Sequence, residues 1–181
     1  IHAMYNVVDR MYIGHIPGAA ANALTGVGLT FPIICIVTAF TNLFGSGGAP
    51  LFSISWGKGE EKRAETIMGN SFSLLLVTAV LLTAMILIFK RPLLYLFGAS
   101  DVTFPYADQY IAIYICGSVF AMSSLGMNSF INAQGFGRTG MLTVLLGAVV
   151  NIALDPLFIF VFHWGVRGAA LATVISQCVS S

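Results

Sequence analysis

The chain has 181 residues, of which 57% are hydrophobic and 8% charged, with a net charge of +1 and a mean hydropathy of +0.90. A water-soluble domain carries about 25% charged residues, so this composition excludes an ordinary soluble surface, and no basic block or acidic tail suits nucleic acid. The charges are also confined: no Asp, Glu, Lys or Arg occurs in 11–57, 66–89, 109–137, 139–154, 156–166 or 168–181. Several of these runs exceed the roughly 20 residues that a spanning helix needs, which predicts an all-α, polytopic membrane protein built as a six-helix bundle.

The first helix is predicted over 1–15 and ends at Ile16-Pro17-Gly18, because proline and glycine together mark a turn. The second covers 24–56, with Pro32 and Gly45-Ser46-Gly47-Gly48 as bending or close-packing points. The charged loop 57–65 follows and must be in water. The third helix covers 67–89 and is closed by Lys90-Arg91-Pro92. A connector over 92–105 leads to the fourth helix, 106–133. A short turn at 134–138 opens the fifth, 139–162. His163-Trp164-Gly165 then leads to the sixth, 169–181, with Trp164 as an interfacial aromatic. The chain begins at Ile1 rather than Met and stops at Ser181 inside an apolar run. The first and last helices are therefore expected to be truncated. Loops alternate sides, so Lys58, Lys62, Arg63 and Arg138 share one end, against Lys90, Arg91 and Arg167 at the other. This bias places loop 57–65 in the cytoplasm.

Asp155 stands out, in Asn151-Ile152-Ala153-Leu154-Asp155-Pro156. A carboxylate at membrane depth costs roughly 2.5–3.5 kcal/mol on insertion scales. Asn151 is four residues earlier and shares its helix face. An amide carbonyl and a carboxylate suit a small hard cation or a proton relay. The alternative is local: Asp-Pro also fits an N-cap with proline opening a helix, although only about seven residues would then precede His163. Asp9 and Tyr5 are likewise four apart, but Arg10 and Gly14-His15 close by also fit a position at the membrane edge. Ser124, Asn128 and Asn132 form a further ladder, either as hydrogen-bond glue between helices or as the lining of a polar cavity.

Enzyme signatures are missing. There is no His-Glu-x-x-His, and no Gly-Lys-[Ser/Thr] follows the glycine cluster. Cys35, Cys116 and Cys178 show neither metal nor disulfide spacing and read as small apolar packing residues.

Four stretches in order carry a resemblance. They are Tyr5-Asn6-Val7-Val8-Asp9-Arg10-Met11-Tyr12-Ile13-Gly14, then Gly57-Lys58-Gly59 leading into Lys62-Arg63-Ala64-Glu65. The others are Asn151 to Phe160, and Gly165-Val166-Arg167-Gly168-Ala169-Ala170-Leu171-Ala172-Thr173. In these the chain resembles the multidrug and toxic compound extrusion (MATE) family of secondary transporters. The resemblance implies the first bundle of a twelve-helix fold in two six-helix bundles, with the C-terminal bundle of the same chain absent. It implies a multi-pass protein of the cell membrane, not an enzyme, that exports organic cations, drugs or toxic metabolites in exchange for sodium ions or protons. No cofactor is implied beyond that coupling ion. The family's cation site falls on Asp9, Asn151, Asp155 and Thr173, which would also hold sodium if sodium is the ion. Tyr5 and Tyr110 fall beside it. Arg10 departs from the family, where many relatives have an uncharged residue. Two other classes stay open: a lipid-linked saccharide flippase of similar architecture, which does not require the Asp9–Asp155 pair, and a non-transporting membrane scaffold.

Overall fold

The computed structural model describes residues 10–15 and 20–181. A helical turn at 10–13 precedes α1 (Ala20–Leu29), α2 (Phe31–Gly57), α3 (Glu61–Leu96), α4 (Phe104–Ala133), α5 (Gly137–Pro156), a π-helical segment (Leu157–Val161) and α6 (Val166–Ser180). No strand occurs among the described residues. Among the described residues, four stretches are long and apolar enough to cross a membrane: Ala20–Gly57, Glu61–Leu96, Phe104–Ala133 and Gly137–Val161.

Each helix sorts its apolar residues into an inner and an outer stripe, and α3 shows this most clearly. Leu75, Ala79, Leu82 and Ile86 are buried, whereas Leu74, Val77, Leu81, Met85 and Ile88 are exposed. Both sets follow the three- and four-residue steps of one helix face. The outer set is as hydrophobic as the inner, as expected where the solvent is lipid. At the centre, α4 packs most extensively on α6, α2 and α3, less on α1 and least on α5.

Several boundaries differ from the sequence reading, each for a physical reason. The predicted helix 24–56 is two pieces that meet at buried Thr30, whose hydroxyl donates to the Val27 carbonyl at 2.7 Å. Pro32 occupies the first turn of α2, where its missing N–H costs no hydrogen bond. The glycines at 45–48 do not break the chain, and α2 runs through them and through Pro50. Nor does Lys90-Arg91-Pro92 close the third helix, which continues to Leu96. With 36 residues, α3 is about 54 Å long, against a hydrocarbon core of about 30 Å. Both its ends therefore reach polar surroundings, where a carbonyl freed by Pro92 finds other donors. Lys90 is paired there with Asp108 of α4 at 2.7 Å. The charged loop shrinks to 58–60, because Glu61–Glu65 already belong to α3.

The turns at 58–60 and 134–136 lie at one end of the bundle. Each follows a helix closed by a glycine at positive φ, Gly59 at 76° and Gly135 at 89°, the left-handed conformation in which a Cβ is costly. At the opposite end Trp164, half-exposed, stacks on Phe158 and Phe162 at 5.5 and 5.4 Å. The three cysteines are exposed rather than packed inside.

Candidate functional site

Asp155 and Asn151 lie on the buried stripe of α5, together with Gly140, Gly147 and Ala148. Both are fully buried. The Asn151 side-chain amide donates to Asp155 Oδ1 at 3.3 Å. Asn151 Oδ1 is itself buried, with no hydrogen-bond donor among the described residues. An amide oxygen left so in an apolar interior costs about 1–3 kcal/mol, which a bound cation or water would offset. Asp155 therefore stands within a continuous helix and caps nothing, and the N-cap reading of Asp-Pro is corrected. Pro156 sits in the last turn of α5 and the chain continues directly into the π segment, which Phe162 closes by donating to the Leu157 carbonyl at 3.0 Å. Wide π turns occur often at functional sites, and here one begins two residues after the carboxylate.

The other site residues divide in two. Thr173 is buried on the inner face of α6 and its hydroxyl donates to the Ala169 carbonyl at 2.9 Å. Helices α5 and α6 run antiparallel, with Gly168 against Phe158 and Ser180 against Thr143. That register sets Thr173 level with Asn151. Tyr110 is buried on α4 and stacks on Tyr114, ring centroids 5.9 Å apart. Asp9 and Tyr5 lie outside the described residues. The turn at 10–13, directly after Asp9, packs near the site, since Tyr12 meets Phe160 edge-on at 6.2 Å. Arg10 points elsewhere, its guanidinium 5.5 Å from the centre of the Phe31 ring, so its charge is occupied by an aromatic face of α2. Beside the site lies an apolar cavity of about 430 Å³ lined by Met11, Tyr12, His15, Ile152 and Phe160.

The ladder on α4 both bonds helices and borders a cavity. Ser124 donates to Ser180 Oγ at 3.1 Å, and Asn128 donates to the Gly140 carbonyl at 2.7 Å. Asn132 donates to Asn128 Oδ1 at 2.9 Å. Asn128 and Asn132, with Asn42 and Ser129, border a cleft of about 340 Å³ between α2, α4 and α5. Among the described residues no three His, Cys, Asp or Glu side chains come together. A cation held here would be met by one carboxylate of the described residues and by neutral oxygens, the ligand set of a hard monovalent ion or a proton rather than of a transition metal.

The MatE family profile matches residues 1–157. The chain belongs to the MATE family. It is 28% identical over 180 residues to the multidrug export protein MepA of Staphylococcus haemolyticus, covering 99% of this chain and 39% of that protein. It is 25% identical over 180 residues to the FAD transporter of Shewanella oneidensis, with 97% and 39% covered. The crystal structure of MATE in the bent conformation superposes with a TM-score of 0.93 at 27% identity, covering 99% of this chain and 39% of that one. The chain thus spans about two-fifths of the length of the relatives it matches. It is a multi-pass helical membrane protein from a family of transporters, one of whose named members is a multidrug exporter.

The sequence reading missed the π segment, the Lys90–Asp108 pair, and the polar residues of α5 and α6 beyond Thr173. The last left a signal: Thr173, Gln177 and Ser180 recur at helical spacing.

Proposed function

We propose that this bundle carries the coupling site of an antiporter in the cell membrane, which exports organic cations, drugs or toxic metabolites against sodium ions or protons. The observation that carries this reading is Asp155, fully buried beside Asn151 at the level of Thr173. A carboxylate buried at membrane depth is costly while charged and favours a mobile cation that neutralises it. The family resemblance adds Asp9 and Tyr5 to this set. Two nearby carboxylates resist joint ionisation, and a sodium ion or proton that neutralises them stabilises one helix arrangement. A cationic substrate favours the other. Coupling needs only that difference in affinity between the two arrangements. Each charge moved through 100 mV supplies roughly 2.3 kcal/mol. The end bearing the turns at 58–60 and 134–136 is the cytoplasmic one. A flippase or a scaffold would have no need of the buried Asn151–Asp155 pair.

The test is efflux of a cationic dye by the intact protein in vesicles, with sodium and pH gradients imposed separately. We expect one gradient to drive efflux and Asp155→Asn to abolish that dependence. Unchanged efflux in Asp155→Asn under both gradients would sink the assignment.

A further inference from the structure

Gln177 has no role in the site described so far. It lies one turn beyond Thr173 on the buried stripe of α6, is 9% exposed, and its Oε1 has no hydrogen-bond donor among the described residues. The facing position on antiparallel α5 is Gly147, followed by Ala148, both buried, so no large side chain stands opposite. Three residues further on, Ser180 Oγ accepts from Ser124 at 3.1 Å and donates to the Thr143 carbonyl at 3.0 Å. The Thr143 hydroxyl donates to the Gly140 carbonyl at 2.9 Å, and Asn128 donates to the same carbonyl. Asn128 borders the polar cleft at the 134–136 end. From Asp155 to Gly140 the distance along α5 is about 22 Å. The serines, Thr143 and Asn128 are accounted for as bonds between helices. Gln177 Oε1 and Asn151 Oδ1 are not. Bonds that merely fasten helices leave no buried acceptor idle, whereas a route for water and ions needs acceptors held open at intervals.

We propose that the seam between α4, α5 and α6 is a hydrated path joining the buried Asp155 to the Asn42–Asn128–Asn132 cleft, with Gln177 as its central relay for a small cation and its water. It rests on the reading of Asp155 as the coupling carboxylate. The path lies inside this bundle, so the coupling ion need not share the route of the exported substrate.

The experiment uses the intact protein in proteoliposomes, with Cys35, Cys116 and Cys178 replaced by alanine. Single cysteines are introduced as Gln177→Cys and Ser124→Cys, with Val179→Cys as the lipid-facing control, since Val179 is 48% exposed on the outer surface. A membrane-impermeant methanethiosulfonate reagent reacts with the thiolate, which forms only in water. We expect Gln177→Cys and Ser124→Cys to react about tenfold faster than Val179→Cys, from one side of the vesicle only. Gln177→Leu should slow gradient-driven efflux about tenfold, the loss of one relay hydrogen bond expressed as a barrier. Labelling of Gln177→Cys no faster than the control overturns the path, as does efflux at the parental rate in Gln177→Leu. If Gln177→Leu fails to fold, the labelling rates alone decide. Failure of the coupling reading is separate: Asp155→Asn would then keep gradient-dependent efflux whatever position 177 does.

Discussion

The α2–α4 and α5–α6 crossings are both built on glycine, and they put it to different use. A methyl at Gly45 of α2 would stand 2.9 Å from the Gly126 Cα of α4. A methyl at Gly126 would in turn run into Leu75 of α3. A methyl at Gly168 of α6 would stand 2.8 Å from the Phe158 carbonyl carbon and oxygen. Below that contact, however, lie Asp155, Asn151, Thr173 and Gln177, all buried. In lipid, apolar surface gives helices little reason to associate, so close backbone approach and hydrogen bonds must hold them. The first crossing spends its close approach on cohesion alone. The second uses the same contact to fix the spacing of polar groups whose burial weakens the bundle. Stability and function are therefore expected to respond to different residues.

The largest separation between the two regions is expected at Asp155. Asp155→Asn keeps the shape of the side chain and removes its charge. Gradient-driven efflux should be lost completely, while the melting temperature of the purified protein stays level or rises, as when a site kept for function is relieved. A fall in melting temperature of the size seen for glycine-crossing variants would show that the carboxylate is structural and would break the comparison.

At the α2–α4 crossing the expectation inverts. Gly45→Ala pushes a methyl against backbone, which cannot yield as a flexible side chain can. A loss of about 1–3 kcal/mol is expected, the usual cost of overpacking, measured as a lowered thermal midpoint in detergent. Whatever protein survives should keep its coupling ratio. A changed ratio would mean that the α2–α4 contact belongs to the conformational cycle.

The sequence separates these regions only in part. Charge-free runs and glycine turns were legible because insertion and turn geometry act locally. The shared face of Asn151 and Asp155 was legible for the same reason. The continuation of α3 past Pro92 was not, because a helix end near polar surroundings loses less at a proline than one in hydrocarbon. The cysteines were misread because hydrophobicity does not tell inside from outside when the solvent is lipid. The spacing of Thr173, Gln177 and Ser180 marked Gln177 within its own helix, but the row of polar groups from α5 to α6 to α4 exists only once the register of the three helices is known.

A smaller effect is expected where the two regions meet. Asn128→Leu removes the donor to the Gly140 carbonyl and the acceptor for Asn132. Hydrogen bonds between membrane helices are worth about 0.6 kcal/mol on average and up to about 1.7, so the thermal midpoint should fall slightly. Efflux should fall more than that loss explains, because Asn128 also borders the cleft. Equal losses in both would place Asn128 with the fasteners.

The smallest effect sharpens the contrast within a single helix. Gly47 is two residues from Gly45, in the same continuous helix, and a Cβ added there meets nothing within 4 Å. Gly47→Ala therefore carries no packing penalty, and replacing glycine by alanine inside a helix favours the helix by about 0.8–1 kcal/mol. A small rise in thermal midpoint is expected, with efflux and coupling unchanged. Gly45→Ala and Gly47→Ala make the same chemical change and should move stability in opposite directions. A loss of efflux in Gly47→Ala without loss of stability would show that α2 bends at this point during transport, and the glycines at 45–48 would then serve motion as well as contact.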